Sequence, residues 1–190
     1  MRDMDDPIRD ARAGVAGVVL AAGAGTRFGM PKALARTPDG RPWVEIAAER
    51  LRAAGCSPVI VVLGAGLRDG VAEPAGVRAH EAQDGALPES RRGEFGDPRE
   101  SVPAWAEVAV AEDWADGQSA SLLAGLAAVA ETEVDAVLIT LVDLPGASPE
   151  AERRVLGALA GTASLARAVD SGRPAHPVLI GRDHWRRLAD

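Results

Sequence analysis

The stretch GVVLAAGAGTRFGMPKAL, residues Gly17 to Leu34, joins a short apolar run to a glycine-rich segment that carries one arginine and one lysine. Its first part, Gly17 to Ala21, reads as a buried strand: short, β-branched in part, and closed by small residues. Val59 to Leu63 and Ala136 to Val142 have the same character, ending in glycine and aspartate. Between these runs the apolar positions take a helical period. Trp43, Ile46, Ala47 and Leu51 keep one face apolar as far as Gly55, which suits a C-terminal stop. Leu122, Leu126 and Val129 do the same after the sequence DGQS. A third helix opens with Ser148 as N-cap and Pro149 in the first helical position, and Glu150 and Glu152 suit its positive end. Strands alternating with helices imply an α/β fold whose mostly parallel sheet is covered on both faces. Short strands at Val108 to Ala111, Leu165 to Val169 and Pro177 to Ile180 extend it, the last in antiparallel sense.

The 190 residues suit one domain with a full core, and 47% hydrophobic with 3% aromatic residues suits a tightly packed α/β protein. A formal net charge of -7 argues against sequence-independent binding to nucleic acid, which needs a basic surface. The lone Cys56 can form no internal disulfide, and no stretch approaches the ~20 apolar residues of a membrane span. The acidic opening MRDMDDPIRDARAG does not resemble a signal peptide and reads as a flexible tail over residues 1–14, so the expected location is cytoplasmic, away from membranes. Residues 83–105, with Pro88, Pro98 and Pro103 and no apolar period, read as a long surface loop, either disordered or a lid over a site.

The glycine spacing is informative by what it excludes. Gly23, Gly25 and Gly29 are one residue off the dinucleotide fingerprint, and five residues separate Gly23 from Gly29 where a Walker A loop has four. Lys32 is followed by Ala33, without the hydroxyl that a Walker A loop offers to magnesium. What remains is a strand ending at Leu20, small residues that let the backbone approach a ligand, and two cations, Arg27 and Lys32. That arrangement suits a triphosphate; a loose turn with both cations solvated is the alternative.

Two other segments add to it. In LITLVDLPG, Asp143 stands at the carboxyl end of a central strand, the edge where open α/β sheets bind ligands, and a carboxylate there suits magnesium; it equally suits the start of a turn. In DWADGQSASLLAGL, Gly117, Gln118 and Ser119 precede an apolar helix whose free amides favour an anion or a base edge, although capping alone also explains the serines Ser119 and Ser121. His176, between prolines in PAHP, either faces a substrate or lies on the surface. His80, His176 and His184 lack the spacing of a metal site.

Taken in order, LAAGAGTRFGMPKAL, DWADGQSASLLAGL, LVDLPG and PAHP resemble the motifs of the molybdenum-cofactor nucleotidyltransferases, most closely their cytidylyltransferase branch. The resemblance spans Leu20 to Pro177 and departs at Phe28, where methionine is common. It implies a single Rossmann-like, three-layer domain of the GT-A-like kind. It also implies magnesium-dependent transfer of a nucleoside monophosphate from a triphosphate to a phosphorylated acceptor such as molybdopterin, with release of pyrophosphate. On that resemblance Leu20, Ala21, Ala22, Gly23 and Gly25 approach base and phosphates, and Arg27 and Lys32 neutralise the triphosphate. Asp143 binds Mg2+, Gly117, Gln118 and Ser119 touch the nucleoside, and His176 lines the acceptor side. Relatives that use GTP read LAGG where this chain reads LAAG, so Ala22 favours CTP. The acceptor stays open between molybdopterin and another small phosphate of the sugar or polyol type. So does a non-catalytic role, as a nucleotide-binding partner in the maturation of a molybdoenzyme.

Overall fold

Strand β1 (Val15–Leu20) is buried along its whole length and lies inside the sheet, as a run with no polar residue requires. In the computed structural model, which describes residues 14–67 and 96–189, six strands form one sheet in the order β3-β2-β1-β4-β6-β5. The partners of β1 are β2 (Val59–Leu63) and β4 (Ala136–Leu141), both parallel to it, and β3 (Glu107–Val110) adds a parallel edge beyond β2. On the other side β6 (Arg173–Gly181) runs antiparallel to both β4 and β5 (Leu165–Asp170). β6 is thus antiparallel, as expected, but longer than Pro177 to Ile180.

Helices make the connections from β1 to β2, from β3 to β4 and from β4 to β5, as parallel pairing favours. Helix α1 (Trp43–Ala54) stops at Gly55, whose φ of 107° is the left-handed C-terminal conformation read from the sequence. Helix α3 (Pro149–Leu156) starts at Ser148, whose hydroxyl accepts from the Glu150 amide at 3.2 Å. Val44, Ala47 and Leu51 of α1 and Val155 of α3 cover one face of the sheet, with Val19, Val61 and Leu138. Leu126 and Val129 of α2 (Gln118–Ala130) cover the other with Val18, Val62 and Ile139, joined by Trp185 at the start of the short α4 (Trp185–Ala189). No helix among the described residues is long and apolar enough to cross a membrane.

Glu152 stands in the first turn of α3 as expected, and there it is fully buried and ion-paired with Arg50, because its place on the helix faces α1 rather than solvent. Two expectations need correction. The loop of residues 83–105 is not uniformly irregular. Its described part contains a 3-10 turn, Pro98–Ser101, which Asp97 caps by accepting from the Arg99 amide and which buries Pro98 and Ser101. Gln118 and Ser119 do not precede a helix; they are its first residues, with Gly117 as the N-cap. Residues 83–95, and residues 1–13 of the proposed tail, lie outside the described residues.

Candidate nucleotide cleft

At the carboxyl ends of β1 and β4 the chain leaves the sheet, and a cavity of about 710 Å³ opens there. Its floor is formed by Leu20, Ala21, Ala22, Gly23 and Gly25, continued by Thr26, Arg27 and Phe28. Gly25 makes the turn that shapes this wall: the amides of Phe28 and Gly29 donate to its carbonyl at 2.8 and 2.9 Å. Its φ is +60°, and a Cβ there would be driven into the carbonyl oxygen of Met30. The chain then passes Pro31 into a 3-10 turn, Lys32–Leu34, which carries the Lys32 side chain back over the opening.

The opposite wall is Asp143, just beyond β4, together with Leu141 and Val142. Lys32 Nζ donates to Asp143 Oδ2 in an ion pair whose side chains are 36% and 32% exposed, so both charges face the cleft while remaining reachable from water. A partly solvated pair of this kind contributes little to stability, of order 0–1 kcal/mol. It does fix a cation and a carboxylate at one point of the cleft.

The third wall comes from the start of α2. Gly117 and Gln118 line it, and among the described residues no side chain caps the helix or accepts from its first amides. Ser119 does not share this wall. It lines a separate depression with Glu112 and Asp116, whereas Ser121, buried, faces the cleft. At 3.6 residues per turn, positions two apart point in nearly opposite directions, which the motif's linear order does not convey. Ser121 takes the position expected of Ser119.

Two aromatic rings were missed as cleft residues. Trp114 lines the cavity and is seated against Gly64 and Ala22: a Cβ on Gly64 would stand 2.7 Å from Trp114 Cβ and 2.9 Å from Ala22 Cβ. Glycine at 64 is therefore what lets the indole close on the floor. Phe28, half exposed, lines the mouth and leans on Trp43, with ring centroids 5.4 Å apart. The signal for Trp114 was present in its place next to DGQS; the contact with Gly64 needs the sheet to exist.

His176 does not line this cavity. It lies on β6, two residues before the Val178 that pairs with Ile139, and, the pairing being antiparallel, beside the carboxyl end of β4. Burial lowers its pKa, the Arg167 charge adds to that, and the Asp143 carboxylate acts in the opposite sense. A histidine with a folded pKa below its unfolded value of about 6.5 contributes stability that is fully present above pH 6.5 and is lost as the pH falls through the folded value. We expect the His176 ring, followed by NMR, to titrate below pH 6.5 in the folded protein, and the substitution His176→Asn to flatten acid destabilisation over that window. A midpoint above 6.5 would contradict this.

A mostly parallel sheet with helices on both faces and a cleft at its carboxyl edge, lined by a glycine-rich segment and a lysine–carboxylate pair, defines an α/β domain of the nucleotide-handling class. The sequence matches the MobA-like NTP transferase domain over residues 17–190, and the chain belongs to that family. It is 36% identical over 143 residues to the nicotine blue oxidoreductase of Paenarthrobacter nicotinovorans, a match covering 75% of this chain and 55% of that relative. The chain thus matches only about half of that relative's length. Among solved structures, Rv0371c of Mycobacterium tuberculosis H37Rv superposes with a TM-score of 0.60 at 27% identity, covering 93% of this chain and 76% of that one. Rv0371c has also been solved as a complex with manganese. A nucleotidyl transferase from Methanothermobacter superposes with a TM-score of 0.57 at 23% identity, covering 93% and 76%. The latter likeness bears on fold alone, and it agrees with the Rossmann-like three-layer architecture.

Proposed function

We propose that this domain transfers a nucleoside monophosphate, CMP from CTP, to a small phosphorylated acceptor of the molybdopterin kind. A phosphate oxygen of the acceptor attacks the α-phosphorus, the bond from that phosphorus to the oxygen bridging to the β-phosphate breaks, and pyrophosphate leaves. The observation that carries this reading is the meeting of Lys32 and Asp143 at the mouth of a cleft whose floor is the glycine-rich segment. Such a transfer asks for alignment and charge neutralisation, with no nucleophile from the protein. Arg27 and Lys32 supply positive charge for the phosphates, the amides at the start of α2 and the ring of Trp114 supply a seat for the nucleoside, and Ala22 favours a pyrimidine.

The carboxylate of Asp143 fits a divalent metal of the magnesium type. No group of three or more His, Cys, Asp or Glu among the described residues forms a metal cage. Magnesium, however, is ordinarily held by one or two carboxylates with the remaining positions filled by phosphate oxygens and water. Bound there, the metal would supply neutralisation of the triphosphate charge. To His176, near the same strand end, this reading assigns the acceptor side.

Incubation with Mg2+, each nucleoside triphosphate and a panel of phosphorylated acceptors should release pyrophosphate, fastest with CTP, and chelation with EDTA should stop it. Binding of nucleotide without release in every combination would sink the transferase and favour a non-catalytic partner of molybdoenzymes. The oxidoreductase name of the 36% identical relative supports a second reading, a redox role in the same cleft. Oxidation of a reduced nicotinamide nucleotide in the presence of nicotine blue, with no pyrophosphate formed, would select it.

A further inference from the structure

On the face of the sheet opposite α2, the Arg50 guanidinium of α1 grips the segment that carries Asp143 from both sides. Its Nη2 donates to the Thr140 hydroxyl at 3.3 Å, and its Nη1 donates to the main-chain oxygen of Leu144. Its Nε donates to Glu152 Oε1 of α3 at 2.9 Å. Arg50 is 5% exposed and Glu152 not at all, and Glu152 Oε2 has no hydrogen-bond partner among the described residues.

Stability does not explain this arrangement. A buried ion pair with an unpartnered oxygen carries a desolvation cost that its attraction barely offsets, and apolar replacements of similar volume are often as stable or more so. The surroundings are apolar and would accept such a replacement: Ala47, Leu51, Leu138 and Val155 form the core here. What an apolar pair would lose is the fork that ties residues 140 and 144 to one rigid group. Leu144 follows Asp143 directly and lies beyond the β4 ladder, whose last main-chain tie to β1 is the Val142 amide on the Leu20 carbonyl at 3.2 Å; past that point the Leu144 carbonyl is held by the Ala147 amide, at 3.1 Å, and by Arg50.

We propose that Arg50, oriented by Glu152, is a positioning residue that holds the turn after β4 so that the Asp143 carboxylate is presented to the cleft. It touches neither cleft nor ligand and acts through the Leu144 carbonyl. The proposal rests on the nucleotidyl reading for its effect on turnover, but not for its effect on the turn itself.

The test is the double variant Arg50→Met with Glu152→Leu, with Arg50→Lys as a second variant that keeps the charge and removes the fork. Three quantities are measured: the melting temperature, hydrogen exchange of the Ala147 amide, which donates to the Leu144 carbonyl at 3.1 Å and so reports on the turn, and CTP affinity in EDTA and in Mn2+. The double variant should melt at or above the wild-type temperature, while exchange at Ala147 quickens at least tenfold against an unchanged sheet. The gain in CTP affinity from Mn2+ should fall by about 10- to 100-fold, the usual range for loss of a group that orients a metal ligand. Affinity in EDTA should not move. Arg50→Lys should give the same pattern more weakly, and it decides the question if the double variant fails to fold. Exchange unchanged in the turn, or raised uniformly across the sheet, would overturn the positioning role. A wild-type protein whose affinity gains nothing from Mn2+ with any nucleotide would instead overturn the nucleotidyl reading, leaving the exchange result to decide Arg50 by itself.

Discussion

Asp143→Ala should reduce pyrophosphate release by at least about 100-fold, the scale on which a preorganised electrostatic group acts in phosphoryl and acyl transfer, while the melting temperature stays within a few degrees of wild type. Both halves follow from the same geometry. The side chain is a third exposed and its partner Lys32 can return to water, so removing it leaves no buried charge behind. In the cleft it is the carboxylate at the end of β4, with no His, Cys, Asp or Glu cluster among the described residues to replace it. Lys32→Ala should cost transition-state stabilisation of a few kcal/mol by the same analogy. Because each of the two variants releases the partner of the other, the double variant should lose less than the sum of the two losses. Turnover that is unchanged in Asp143→Ala would remove this residue from the metal role.

Gly25→Ala should lower nucleotide affinity and turnover by about two orders of magnitude, the penalty that a misplacement of roughly 1 Å imposes on an aligned site. Two costs act at this position. A φ of +60° disfavours any side chain, and the new Cβ would collide with the Met30 carbonyl, so the turn has to move and takes Pro31 and Lys32 with it. Gly29 supplies the control. Its φ of +85° is equally left-handed, but a Cβ there meets nothing within 4 Å. Gly29→Ala should therefore cost only the backbone strain, about 1 kcal/mol of stability, and leave binding close to wild type. Calorimetric titration with CTP and thermal melting of the two variants check the difference; equal effects would mean that the Met30 contact is unimportant.

The central strands were legible because their sequences admit no other place: Val59 to Leu63 has no polar residue, and its bounds in the fold are those read from the chain. Helix ends were legible where they carry a chemical sign, as Gly55 and Ser148 do. Much of the cleft was legible for the same reason, since Lys32 opens a 3-10 turn, Gly117 caps α2 and Asp143 follows the end of β4, while Gly25 is marked by the turn it makes. The rest depended on direction and on distance along the chain. Ser119 and Ser121 are near neighbours in sequence, yet helical rotation sends them to different surfaces. Trp114 meets Gly64 only once β2 and the turn before α2 are side by side. Arg50 and Glu152 are charged residues on amphipathic helices, a pattern that ordinarily marks a wetted face; only the packing of α1 on α3 makes them interior.

The parallel pairing around β1 also governs how the protein comes to be folded. Val15 must find Ala136 and Gly17 must find Val59, so both ladders that carry the cleft close over long stretches of intervening chain. Among the described strands only β5 and β6 form a pair joined by a short turn, and that hairpin lies at the far edge of the sheet. Loop closure over long separations is slow and comes before its contacts repay it. The cleft is therefore expected to assemble after the hairpin, and a refolding experiment that monitors nucleotide binding should lag one that monitors the hairpin.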